Sequence, residues 1–177
     1  MHRGNRHGRS EEARLSVLEA ADDLLVEKGF AQLTIEGIAQ RAGVAKQTIY
    51  RWWSSKTEIL LDAFLSDAAE DLNPRGNAAP DDVATNLRRL AWFLTRSDAG
   101  AVFRALMAEA QHDPALAARL RTEYLDKQKE RAGFTDGALF DRLVGPIYYR
   151  ALVTGEEITD RFIDDLVTAT FPPASRA

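Results

Sequence analysis

The chain has 177 residues, enough for one or two small domains that hide roughly 70% of the unfolded chain's surface. With 45% apolar and 28% charged residues and a net charge of −4, its composition is globular and excludes wholesale disorder. The absence of cysteine removes disulfides, thiol catalysis and thiolate zinc sites, and no apolar run approaches the roughly 18 residues of a membrane span.

Apolar residues recur three and four apart with no strand-like alternation, so an all-α fold is expected. Residues 1–10 contain Arg3, Arg6 and Arg9, no acid, and no apolar segment of a secretory signal. They read as a basic arm on a cytoplasmic protein without a membrane partner. A first helix is expected over 10–28, capped by Ser10 and stopped by Gly29-Phe30, with Leu15, Leu18, Ala21 and Leu25 as its buried stripe. Thr34 caps a short helix over 35–42, Gly43 interrupts, and a third helix covers 45–53. Ser55-Lys-Thr-Glu58 is a capping box that opens a fourth helix, 56–72, and the stretch 73–80 is the clearest linker. Beyond it lie helical segments over 81–95, 99–111, 114–131, 137–153 and 159–170, with Gly145-Pro146 expected to kink the fourth of these.

The informative unit is 34–53. Two short helices joined at Gly43 must cross steeply, with Ala39 small at the crossing and Ile38, Ala42, Val44 and Ile49 as shared core. This is a helix-turn-helix pattern. On the other side of the third helix, Lys46 and Tyr50 stack one turn apart, as do Gln47 and Arg51, and Thr48 flanks them. An eight-residue helix is about 12 Å long, comparable to the width of the DNA major groove. Residues 37–57 hold Arg41, Lys46, Arg51 and Lys56 and no acid, so an acidic chain carries a local attraction for polyanions. Gln, Arg and Lys suit base edges, whereas hydroxyls suit phosphates; Thr34 and Lys56 stand at helix N-termini that favour an anion. A solvated basic face and a helical corner without nucleic acid are the competing readings. Trp53 belongs to the core by spacing. Trp52, at the rim, has the spacing to pack under the fourth helix with its indole N–H turned to a phosphate, and the residues alone leave it undecided.

These residues identify a resemblance. Ala20-Ala21, Phe30, Leu33-Thr34, Ile38-Ala39, Ala42-Gly43-Val44, Thr48-Ile49-Tyr50, Trp53, Ser55-Lys56 and Leu60-Leu61 make residues 10–64 similar to the DNA-binding domain of the TetR family of bacterial repressors. The resemblance implies a helix-turn-helix domain (10–72) followed by a helical effector and dimerisation domain (73–177). It further implies a homodimer on a palindromic double-stranded DNA operator, released by a small-molecule effector. By it, Lys46, Gln47 and Tyr50 inherit groove contacts, and Thr34, Thr48, Trp52 and Lys56 inherit backbone contacts; Arg51 is added on geometry. Ala45 departs from the capping Ser or Thr frequent there, at a cost of about 1 kcal/mol. The stretch 130–134 is also shorter than the family usually shows.

In the second half, Leu139, Leu143, Val144, Ile147 and Ala151 form one stripe, and Phe162, Ile163, Leu166 and Val167 another. Together they suit a four-helix dimer interface or, alternatively, the domain's own core. Trp92, Phe93, Phe103, Met107, Tyr124 and Tyr149 are candidates for a ligand pocket, although such residues also build cores. His112 beside Asp113-Pro114 reads as a helix end. With no Cys, an isolated His112, no Gly-rich phosphate loop and only solvated acidic pairs (Asp81-Asp82, Glu156-Glu157, Asp164-Asp165), an enzyme is disfavoured. Neither a cofactor nor a metal is expected. A DNA-binding module without an effector is the remaining alternative.

Overall fold

The structure, a computed structural model, describes residues 4–71, 80–132 and 136–172, with side chains over 10–66, 81–132 and 136–172. Helix α1 (Gly4–Lys28) begins before the expected cap, so Ser10 lies inside it and the basic segment from Gly4 onward is helical rather than a loose arm. Its buried face is Val17, Leu18, Ala20, Ala21, Leu24 and Leu25, whereas Leu15 is 52% exposed. Gly29 then takes φ +76° and ψ 164°, a region essentially confined to glycine, and the chain leaves in an extended direction rather than a left-handed turn.

A single 3₁₀ turn (Phe30–Gln32) leads to α2 (Ile35–Ala42), whose Thr34 cap accepts a hydrogen bond from Gly37 N at 3.0 Å. Gly43 adopts the left-handed conformation (φ +68°), and Val44 N donates to Ala39 O at 3.0 Å across it. This Schellman-type turn satisfies the last carbonyls of α2 and reverses the chain into α3 (Lys46–Tyr50) within two residues. Helix α4 (Lys56–Asp71) opens on a capping box that is shifted by one residue: Glu58 N donates to Ser55 Oγ, while the Glu58 carboxylate accepts from Ser54 N at 2.6 Å.

The second half is built from α5 (Pro80–Arg96), α6 (Asp98–Ala110), α7 (Pro114–Leu120), α8 (Asp126–Arg131), α9 (Gly137–Tyr149) and α10 (Asp160–Thr170). A π turn, Arg121–Leu125, joins α7 to α8, so the expected segment 114–131 is one continuous run. Gly145-Pro146 does not end α9, which passes through Pro146 and into a second π turn, Arg150–Thr154. Asp113 caps α7 by accepting from Ala115 N and Leu116 N, and Thr159 caps α10 by accepting from Phe162 N. The linker residues 73–79, residues 133 and 134 of the stretch 130–134, and Arg3 lie outside the described residues. Among those described there is no strand, no cluster of metal-binding side chains, and no helix long and apolar enough to cross a membrane.

Helix α4 joins the two halves of one continuous buried core. It packs on α1 and on α6, while α5 packs on α6, α9 and α10. Fully buried Phe64 of α4 sits 6.2 Å from the Phe93 ring, 5.3 Å from Phe103 and 4.8 Å from Tyr124. Tyr148 joins them at 5.9 Å from Phe103. Where α5 gives way to α6, a Cβ added at Gly100 would come within 1.9 Å of Phe93 O, so only glycine permits this approach. Gly100→Ala is therefore expected to lower stability by about 1–3 kcal/mol, measured as a shift in the urea midpoint at unchanged slope.

Candidate nucleic-acid interface

Helix α3 is five residues long, shorter than the expected 45–53. Its last turn tightens: Trp52 N and Trp53 N both donate to Ile49 O, at 2.9 and 3.0 Å. Ile49 is fully buried, in the same core cluster as Ile38 and Ala39 of α2. At about 100° per residue, the direction opposite Ile49 lies between Gln47 and Arg51, with Lys46 and Tyr50 on one flank and Thr48 on the other. The observed exposure follows this wheel. Lys46, Gln47, Tyr50 and Arg51 are exposed, Tyr50 at 53%, and Thr48 is half-buried. The N-cap Ala45 makes no side-chain cap, as its methyl dictates.

The cations of this region are more engaged than the sequence suggests. Arg41 is tied back to α1, through a paired contact with Glu27 at 2.7 and 2.9 Å and a longer one with Asp23. Lys46 pairs with Glu36, so the outward side of α3 has a carboxylate beside it in space although none in its own segment. The pairing holds the Lys46 ammonium above its usual pKa and the Glu36 carboxyl below its own. Lys56 turns inward: Nζ donates to Phe30 O at 2.7 Å and Leu33 O at 3.0 Å and lies 4.0 Å from the Phe30 ring centroid. Its side chain is a strap between α4 and the 3₁₀ turn. Arg51 has no carboxylate partner among the described residues and lies over the Trp52 ring at 5.7 Å. Arg6 and Arg9 belong to the first turns of α1, with side chains outside the described set.

Trp53 is buried and donates its indole N–H to Asp62 Oδ2 at 2.8 Å. Trp52 is half-buried, edge-on to Trp53. Asp62 also receives Arg119 of α7 at 3.9 Å, and Arg119 holds Glu123 at 2.7 Å. The end of the helix-turn-helix is thus linked through α4 to the second half. Sequence spacing missed both Glu36 and Asp62. The signal for Glu36 is topological, because a tight turn places the first turn of α2 beside the first turn of α3.

The proposed C-terminal residues separate. Leu143, Ile147, Ile163 and Val167 are buried within the chain and are core, not interface. Leu139, Val144, Ala151, Phe162 and Leu166 are partly buried, and Arg150 covers the Phe162 ring at 3.7 Å. Tyr149 is 58% exposed, one helical turn from exposed Val153, so it does not line an interior pocket. Phe93, Phe103 and Tyr124 belong to the packed aromatic cluster, and Met107 lies at its margin. Trp92, 57% exposed, lines a surface groove of about 350 Å³ with Arg88, Arg89 and Phe93. The six residues therefore divide between core, groove and surface because α5 and α9 each present two faces. Burial raises the phenol of Tyr124 well above its ordinary value and pushes Tyr148 up to about 12.

A family model described as bacterial regulatory proteins of the tetR family matches residues 17–63, and one described as a tetracyclin repressor-like C-terminal domain matches 74–135. The chain is 38% identical over 179 residues to the HTH-type transcriptional regulator YdeS of Bacillus subtilis, covering 92% of this chain and 90% of that protein. It is 29% identical over 123 residues to the DNA-binding transcriptional repressor TetR of Mycobacteroides abscessus, covering 67% of this chain and 63% of that one. Among solved structures, the TetR family transcription regulator SCO0332 superposes with a TM-score of 0.67 at 32% identity, over 89% of this chain and 95% of that one. The flavonoid-responsive regulator FrrA shares the fold, with a TM-score of 0.65 at 19% identity, over 91% and 94% of the two chains.

Replacing Lys56 by Gln removes the strap from two carbonyls and is expected to cost about 1–3 kcal/mol in thermal or urea unfolding. The salt dependence of DNA binding should stay unchanged, because this ammonium faces inward. A second expectation concerns alkali. The Tyr148 phenol stays neutral in the folded chain up to about 12, whereas an unfolded one ionises near ~10. The stability this provides is complete below pH ~10 and is lost as pH rises through 12, so Tyr148→Phe should flatten that part of an alkaline unfolding curve.

Proposed function

The chain belongs to the TetR family of bacterial transcriptional regulators, and from that premise we propose that it is a dimeric repressor of a palindromic operator, released by a small molecule. That it is a regulator with a DNA-binding helix-turn-helix, and not an enzyme, follows from the family itself. The observation that carries the finer reading is the exposure of Lys46, Gln47, Tyr50 and Arg51 on the side of α3 opposite buried Ile49. In this reading residues 10–72 form the DNA-binding unit and 73–177 the effector and dimerisation unit, acting in the cytoplasm.

Gln47 and Arg51 point deepest into the major groove, where an amide suits an adenine edge and a guanidinium a guanine edge. Lys46 and Tyr50 line the flank. Thr34 supports a phosphate contact because its oxygen accepts from Gly37 N, which leaves its O–H to donate outward. Thr48, Trp52 and the Lys56 amide extend that contact line, and Arg3, Arg6 and Arg9 add charge near the start of α1. Pairing through α9 and α10 places two such helices one DNA turn apart, roughly 34–36 Å. Leu139, Val144, Ala151, Phe162 and Leu166, with exposed Tyr149 and Val153, are the apolar groups left for that pairing. Effector entry is assigned to the groove of Arg88, Arg89, Trp92 and Phe93, which borders the aromatic cluster through the Phe93–Phe103 contact.

The test is retardation of a labelled fragment carrying the neighbouring intergenic region. Wild-type protein should bind specifically, with affinity falling linearly in log–log salt at a slope set by the phosphates neutralised. Lys46→Ala with Tyr50→Ala should reduce specific binding by about tenfold or more while leaving the melting temperature within a few degrees. Unchanged retardation would remove α3 as the reader.

A further inference from the structure

A carboxylate that α3 lacks in its own segment stands beside its exposed residues. Glu36, in the first turn of α2, pairs with Lys46, and the two side chains remain 65% and 46% exposed. Arg41 straps α2 to α1 through Glu27, but the Lys46–Glu36 pair bridges two elements already fixed by the Gly43 turn and by buried Ile38 and Ile49. An exposed ion pair contributes little to stability, so the fold does not require it.

Its cost lies in binding. A carboxylate lowered into a major groove is repelled by phosphates and by the acceptors that dominate base edges, namely guanine O6 and N7, adenine N7 and thymine O4. Amino groups are the edges that attract it. In a G·C pair the cytosine N4 amino group adjoins guanine O6, so an acceptor and a donor stand side by side. An ammonium in contact with a carboxylate presents the matching order. Lys46 has three donors, and it can hold Glu36 and guanine together without breaking the pair.

Resting on the reading of α3 as the groove helix, we propose that Glu36 is a specificity-determining residue. With Lys46 it reads one G·C base pair in each half-site, Lys46 donating to guanine and Glu36 accepting from the cytosine amino group. Glu36 adds little affinity for the right sequence. It penalises wrong ones, where the carboxylate is desolvated against an acceptor or a methyl group.

The experiment is selection of operators from a random duplex library by wild type, Glu36→Gln and Lys46→Ala, followed by fluorescence anisotropy on the wild-type operator, single-pair variants and random DNA. Glu36→Gln should lose about tenfold of preference at one G·C pair per half-site, and Lys46→Ala should relax that same pair. Random DNA should bind Glu36→Gln several-fold more tightly, with a log–log salt slope steeper by about 0.9 per subunit because Lys46 is freed for a phosphate. A Glu36→Gln protein with wild-type preference at every position overturns the inference, and a lowered melting temperature alone would then mark Glu36 as a partner of the α2 dipole. Relaxation of an A·T pair, or of a pair that Lys46→Ala leaves intact, overturns the G·C assignment. If wild type selects no operator at all, the reading of α3 fails and takes this inference with it.

Discussion

A helix of five residues has no stability of its own in water, so α3 exists only because its surroundings hold it. Three features do so. The left-handed turn at Gly43 fixes where it starts, Ile49 fixes which side faces inward, and Trp53, buried and hydrogen-bonded to Asp62, fixes where it ends. Of the outward residues, Lys46 is paired with Glu36 and Arg51 lies over the Trp52 ring. Gln47 and Tyr50 stand exposed on the side of the helix that takes no part in this packing.

The electrostatics divide along the same line. Of the four basic residues in 37–57, Arg41 and Lys56 are spent on holding α2 and α4 to α1 and its following turn. Lys46 is shared with Glu36, and Arg51 lies over Trp52. A count of charges therefore overstates the attraction this surface exerts on a polyanion. What is left is sparse and placed at the two ends of α3, an arrangement suited to discrimination more than to indiscriminate adhesion.

Most helices were legible because periodic apolar residues and strong breakers agreed. Asp113-Pro114, Gly43 and Thr159 each mark a boundary that the structure keeps. Expectations failed where tertiary contact decides. Leu15 has the right spacing but lies beyond the reach of α2 and α4, and Ser10 is an adequate cap inside a helix that simply starts earlier. The pairs Glu36–Lys46 and Glu27–Arg41 join residues ten and fourteen apart around a turn, a separation that no periodicity encodes. In α9 and α10 the apolar stripes were legible, but not which neighbour covers them. Two residues of each, Leu143 and Ile147 in α9 and Ile163 and Val167 in α10, belong to the chain's own core.

Helix α4 carries Asp62 and Phe64 two positions apart, the first gripping Trp53 and the second wedged among Phe93, Phe103 and Tyr124. A rod of backbone hydrogen bonds transmits a push along its length, so whatever reshapes the aromatic nest must also drag the Asp62 tether.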